Sequence, residues 1–340
     1  MKCILHVGTE KTATTTLQRF FDRNRDTLGT QGIAYTRSAG VGNNWRLAVA
    51  AYDDGRRDDR SADAGIGDAN SRGSFRSGLL NELGAELEDS GDKYDIERVL
   101  FSSEHFHSRL TTASEIERLA DLLAKLGVTT ANVVIYLRDP VSLAASLHST
   151  VVKHGSARRA PPEPELGTYY RHLCDHRSSI QSWEAVFDKV TPRLFEPEAL
   201  VGGSVVSDFF DLLGVTSPSP GSSNEEPYLN RSLTTAEIEV LSRINGNMPS
   251  TIDGQPNPRQ TRLVAALERH STGPGYRLPP GLAQRYRAEF THSNEWIRQR
   301  FFPEREHLFA AEAPDHDPGP RPPGYDGLAA LLVELIDQAG

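Results

Sequence analysis

The chain has 340 residues, 37% apolar and 24% charged, which suits a soluble globular protein of one large α/β domain or two small ones. Lys and Arg number 37 against 46 Asp and Glu, a formal charge of −9, so general nucleic-acid binding is disfavoured, although a local basic cleft can still hold an anion. Two cysteines, Cys3 and Cys174, exclude a disulfide framework and read as free thiols in a reducing compartment.

Residues 3–7 (CILHV) read as a short buried strand. Only Cys3, Ile4 and Leu5 separate Lys2 from His6, too short an apolar run for a signal peptide. No stretch reaches the roughly 18 to 20 apolar residues of a membrane span. A cytoplasmic location without a membrane span is therefore expected. After a turn, TTTLQRFFDRNRDTL reads as a helix, with Leu17, Phe20, Phe21 and Leu28 near helical spacing. Gly32, Ile33 and Ala34 suggest a second strand. Residues 53–78 are charged and rich in Gly and Ser. They read as a flexible, solvated insertion, with a lid over a site as the alternative.

A helix is predicted from Leu79 to Leu87 and a strand over 99–103. Residues 114–126 form an amphipathic helix with Ser114 as cap and Glu117 completing a capping box. NVVIYL, 132–137, is a strand, after which Asp139 caps and Pro140 opens a helix. Further helices are predicted over 178–188, 204–213, 234–245, 259–270, 280–290 and 293–301. Strand and helix alternate through residues 1–155, which predicts an α/β fold with a parallel sheet covered on both faces. The largely helical C-terminal half is expected to wrap that sheet. One domain is expected over 1–312, then a Pro-rich linker, 313–324, and a C-terminal helix, 325–340. That helix either docks on the domain, the expected outcome, or makes a homodimer contact.

The turn HVGTEKTATTT, residues 6–16, joins a strand end to a helix start. Backbone N–H groups and the helix dipole converge there on an anion. Lys11 adds a charge, and Thr12, Thr14, Thr15 and Thr16 add hydroxyls. A nucleoside-triphosphate P-loop, GxxxxGK[ST], needs glycine before the lysine. Here Glu10 stands in that place, and the stretch from Gly8 to Lys11 is too short. A kinase or ATPase therefore ranks below another user of an anion. The plain alternative is a Thr-rich helix cap with an exposed lysine.

Arg138 ends the strand 132–137, and Ser146 follows eight residues later on the next helix. An arginine at that place faces the crevice where parallel sheets bind ligands, and its fork suits a terminal phosphate. The competing reading pairs it with a carboxylate such as Asp139.

KTATTT, residues 11–16, together with Arg138 and Ser146, resembles the two cofactor motifs of sulfotransferases that use 3′-phosphoadenosine 5′-phosphosulfate (PAPS). The family's first motif is similar to KTGTTS, so Ala13 replaces its glycine. SSEHFHSRL (102–110), YLRDPVSLAASLHST (136–150), NRSLT (230–234) and HSNEWIRQRFFP (292–303) extend the likeness to bacterial carbohydrate-type members. The resemblance implies a P-loop-like three-layer fold with a central parallel sheet. It implies that Lys11, Thr12, Ala13, Thr14, Thr15 and Thr16 wrap the 5′-phosphosulfate while Arg138 and Ser146 clamp the 3′-phosphate. It also implies a catalytic Lys11 and no metal.

The acceptor is expected to be a carbohydrate, glycoconjugate or other hydroxyl-bearing small molecule, chosen by the 53–78 segment. The acceptor hydroxyl needs a base. SSEHFHS supplies Glu104 as first choice and His105 as second, with His107 pointing away if the segment is an extended turn. Asn43, Asn44 and Trp45 are candidates to line the acceptor site, Trp45 more simply as packing. His172 and His176 have the spacing of one helical turn but no third metal ligand. The alternatives are a phosphotransferase using Mg²⁺ on Asp139, and a catalytically silent nucleotide-binding module.

Overall fold

The computed structural model of the chain describes residues 1–216 and 232–310. β1 (Lys2–His6) leads into α1 (Thr14–Arg23), α2 (Arg25–Gly29) and β2 (Ile33–Tyr35). Then come α3 (Trp45–Ala51), α4 (Asp59–Asp63), α5 (Ala69–Lys93) and β3 (Arg98–Ser102). α6 (Glu104–Arg109), α7 (Ala113–Lys125), β4 (Thr130–Leu137), α8 (Pro140–Lys153), α9 (Thr168–Cys174) and α10 (His176–Glu184) follow. β5 (Lys189–Leu194) and α11 (Val205–Leu213) precede residue 217. Beyond residue 232 lie α12 (Thr235–Asn245), the hairpin strands β6 (Thr251–Ile252) and β7 (Gln255–Pro256), α13 (Pro258–His270) and α14 (Pro280–Phe301).

β1 to β5 form one parallel sheet in the order β2-β3-β1-β4-β5, flanked by helices. Four of five residues of β1 and the last five of β4 are buried, as a sheet covered on both faces requires. The chain leaves β1 towards β2 on one side and leaves β4 towards β5 on the other. Adjacent strands whose connections diverge leave a crevice at their C-terminal ends. The turn after β1 and Arg138 after β4 both lie at that place.

The described residues group into two compact units. The first comprises residues 1–138, 175–216 and 296–303, and holds the sheet. In its core Ile4, Leu100, Val134 and Tyr136 meet Leu17 and Phe21 of α1 and Phe209 and Phe210 of α11. Asp208 of α11 is fully buried, accepting hydrogen bonds from Tyr136 at 2.7 Å and from Arg193 Nε at 3.0 Å. The second unit comprises residues 139–174, 232–295 and 304–310. Its core gathers Leu143 and Leu147 of α8, Leu173 of α9, Leu241 of α12, Leu267 of α13, and Tyr286 and Phe290 of α14.

The strands expected around residues 3–7, 32–34, 99–103 and 132–137 are present, and Asp139 caps α8 by accepting from the Ser142 N–H at 2.9 Å. Other boundaries differ. The helix expected from Ser114 starts at Ala113, capped by Thr112, whose hydroxyl accepts from the Glu115 N–H at 3.3 Å. The helices expected over 280–290 and 293–301 are one, α14. The helix placed at 178–188 is α10, and β5, which follows it, is an addition.

The largest difference is residues 53–78, which form α4 and the first part of α5 instead of a flexible insertion. Several of their charges are paired. Arg72 is fully buried and donates to the Val49 carbonyl at 3.1 Å and to Ser61 at 3.2 Å. Arg56 pairs with the buried Glu115 at 2.8 Å and lies 3.9 Å above the Tyr52 ring. Arg109 holds Asp59 at 2.7 Å and Asp58 at 3.1 Å. Among the described residues no helix is long and apolar enough to cross a membrane. The linker at 313–324, the helix at 325–340 and the start of NRSLT lie outside the described residues.

Candidate functional site

The turn after β1 uses backbone that side chains disfavour. Gly8, Lys11 and Ala13 have φ of 40°, 66° and 58°. Gly8 has no substitute, since a Cβ there would stand 2.6 Å from Thr14 Cγ2. Lys11 and Ala13 hold the left-handed conformation at a cost of roughly 1–2 kcal/mol each. Such strain concentrates at ligand sites, and turns of this type gather N–H groups into anion-binding nests. Ala13 is the N-cap of α1, and no side chain caps this helix. Its first N–H groups therefore point out of the turn without a side-chain acceptor at the cap.

The position where Ala13 replaces the glycine of KTGTTS is thus one where glycine relaxes the chain. Ala13→Gly is expected to stabilise the protein by about 1 kcal/mol, the relief of left-handed strain less the added freedom of the unfolded chain. Urea unfolding checks it; a loss of stability would mean that Ala13 is not strained.

The hydroxyls divide. Thr12 is buried and donates to the Thr9 carbonyl at 2.6 Å, so it holds the turn together. Thr14 is buried as well, whereas Thr15 and Thr16 are exposed. Lys11 is half-buried at the crest of the turn.

Arg138 comes to this turn from the end of β4. Its Nη1 donates to the Lys11 carbonyl at 2.7 Å, and the Phe195 ring lies 5.9 Å from its guanidinium carbon. His176 Nε2–H donates to the Arg138 carbonyl at 2.7 Å and fixes its backbone. His176 therefore lies on α10 in a structural role, while His172 lies on α9, so the two are not one helical turn apart on a single helix. Among the described residues no three His, Cys, Asp or Glu side chains cluster as a metal site requires. Ser146 lies on α8, in the second unit, half-buried. Its partnership with Arg138 stays an implication of the resemblance.

β3 brings the third group. The Ser103 N–H bonds the His6 carbonyl at 3.1 Å, and Ser103 caps α6. SSEHFHS is therefore a helix start, not an extended turn. Glu104 is its first residue. Its Oε2 accepts from Gln18 at 2.9 Å and its Oε1 from Asn43 at 2.8 Å. Asn44, buried beside Asn43, fastens that loop to β3: its Oδ1 accepts from the Ser102 N–H at 2.8 Å. Trp45 packs 5.8 Å from the Arg60 guanidinium.

His105 is half-buried, and burial pushes its pKa down to about 4 against the opposing charge of Glu104. It is neutral at pH 7 and a weak base. His107 is buried and turned into the fold.

Beneath the turn sits His6, fully buried. Its Nδ1 shares a hydrogen bond with Ser102 Oγ at 2.8 Å, and its Nε2 has no hydrogen-bond partner among the described residues. Burial drives its pKa down to about 3. A Cβ on Gly8 would lie 3.5 Å from that Nε2, so the imidazole supports the turn from below.

The sheet thus brings Lys11, Arg138 and the start of α1 together, with Glu104 reached from the same helix through Gln18. Gln18 and His6 were not singled out by sequence, and His176 only as half of a His172–His176 pair. Gln18 alone carried a signal, a polar residue on the buried stripe Thr14, Leu17, Gln18 and Phe21. Compared with protein-family models, curated proteins and solved structures, the chain gives no match. Chemically, the arrangement offers two cations and a helix start without a side-chain cap for an anion, and a carboxylate for a proton.

Proposed function

We propose that this chain is a PAPS-dependent sulfotransferase acting on a hydroxyl of a carbohydrate or related acceptor. One observation carries the reading: Arg138 of β4 reaches the Lys11 carbonyl of the strained turn, beside a helix start without a side-chain cap. Lys11 and Arg138, far apart in the chain, thus meet at one turn. The identity of the turn as P-loop-like belongs to this same proposal, and the strand order supports it.

Residues 11–16 hold the 5′-phosphosulfate and Arg138 takes the 3′-phosphate. Glu104 accepts the proton of the acceptor hydroxyl as its oxygen bonds to sulfur. The bond from sulfur to the bridging phosphate oxygen breaks, and its electron pair stays on that oxygen. Lys11 and the N-terminus of α1 neutralise the charge that grows there. The products are the sulfated acceptor, adenosine 3′,5′-bisphosphate and one proton. Glu10 beside Lys11 makes the turn unfavourable for the larger charge of a triphosphate.

Calorimetry with adenosine 3′,5′-bisphosphate, against ATP with Mg²⁺, tests the donor class. The bisphosphate is expected to bind and ATP to bind weakly. Arg138→Ala should weaken the bisphosphate about 10- to 100-fold, the worth of charge-assisted hydrogen bonds, and Lys11→Ala should weaken it too. Preference for ATP with Mg²⁺, or no nucleotide binding, would sink the reading.

A further inference from the structure

α1 buries four residues on one stripe, and one of them is an amide. Gln18 is 5% exposed, between Leu17 and Phe21 at 0%. A buried amide needs partners, and the Gln18 nitrogen donates to Glu104 Oε2. From the opposite side, the Asn43 nitrogen donates to Oε1. Each carboxylate oxygen therefore takes one N–H, which fixes the plane of the carboxylate by two separate elements. A carboxylate oxygen carries two acceptor sites, so each retains one for an incoming hydroxyl.

The two supports are themselves held. Asn43 precedes Asn44, whose buried amide donates to the Thr36 carbonyl at 3.2 Å while its oxygen takes the Ser102 N–H. Gln18 stands one helical turn beyond Thr14, the first residue of α1. The helix whose start faces the anion thus also carries the group that aims the carboxylate.

We propose that Gln18 and Asn43 are positioning residues that orient Glu104 as the base, an inference that rests on the sulfotransferase reading above. They act through Glu104, to which each donates. A base misplaced by about 1 Å loses up to about 100-fold in rate. The bonds to a carboxylate are also stronger than those to a neutral acceptor.

The test uses the full chain with PAPS and a fixed acceptor set of glucose, N-acetylglucosamine, galactose and glycerol, following release of the bisphosphate. Gln18→Met keeps the length and loses the donor; Asn43→Ala removes the other donor from a loop. Each is expected to lower kcat about 10- to 100-fold while KM for PAPS and bisphosphate affinity stay within about twofold. Added to Glu104→Gln, each is expected to cost nothing more, because the group they aim is gone. A loss that adds fully to Glu104→Gln, a loss carried by KM for PAPS, or wild-type rates in both variants would overturn the proposal. If Gln18→Met does not fold, Asn43→Ala decides alone.

Side-chain amide NMR gives a readout without turnover. Two amide pairs are expected downfield in the wild type, one lost in each variant and both moving upfield in Glu104→Gln. Amide resonances that ignore Glu104→Gln would overturn the grip itself. A wild type that binds the bisphosphate but transfers to no acceptor would instead sink the sulfotransferase reading, and with shifted amides it would leave the grip intact.

Discussion

Glu104→Gln is expected to lower turnover about 10²- to 10⁴-fold, the usual contribution of a placed general base, and to leave bisphosphate affinity within about twofold. The loss has two physical parts. The amide has no carboxylate to take the acceptor's proton. It also meets two donors, Gln18 and Asn43, where it offers only one acceptor oxygen. One of those donors then opposes the new NH₂, and that pair is lost unless an amide turns over. The anion turn is untouched, because none of the hydrogen bonds at Lys11, Thr12 or Arg138 described above involves Glu104. Release of bisphosphate from PAPS with the four acceptors measures the rate, and calorimetry measures the affinity. His105→Asn is the comparison, expected to cost less than about tenfold, since burial already holds His105 at about 4 and leaves it a weak base at pH 7. Turnover by Glu104→Gln within about threefold of wild type would remove the carboxylate from the chemistry.

How far the sequence could be read depended on the range of the interactions that decide each element. β1, β3 and β4 are short apolar runs, and such runs announce buried strands locally. Asp139 and Pro140 announce a helix start by cap chemistry, equally local. β5 reads KVTPRL, with two charges and Pro192, and is hidden by composition; it is tolerated because it lies at the sheet edge. Thr112–Glu115 and Ser114–Glu117 offer the same capping spacing. Glu115 is also wanted by Arg56, and that long-range pair, invisible in sequence, goes with the earlier start. Residues 53–78 fail for the same reason. Their arginines look solvated until Glu115 and the α3 carbonyls are brought to them.

The candidate site divides along the same line. Lys11, Arg138 and Glu104 were legible because each follows a strand end in a pattern that chemistry requires. The threonines were legible as a group but not individually. Which hydroxyl closes the turn, Thr12 to Thr9, depends on backbone angles that the residue types at 11 and 13 argue against. His6 was hidden because nothing in a strand-ending histidine tells that it will be buried under the following turn.

That burial sets the second large expectation: the protein loses stability as pH falls from about 6.5, and His6 is a main cause. The unfolded imidazole has a pKa near 6.5, whereas the folded one is held near 3 because burial disfavours its charge. Between those values the unfolded chain binds the extra proton. Stability is therefore complete above about pH 6.5 and declines as pH falls towards about 3. For His6 alone the loss by pH 4.5 is on the order of 3 kcal/mol. Buried His148 and half-buried His105, each held by burial near 4, add in the same direction. His6→Asn separates the terms. It can keep a hydrogen bond to Ser102 and cannot titrate. Urea midpoints from pH 7.5 to 4.5 should fall steeply for the wild type and less steeply for the variant. Parallel stability profiles would show that His6 titrates alike in the folded and unfolded states, and would remove it as the acid-sensitive group beneath the turn.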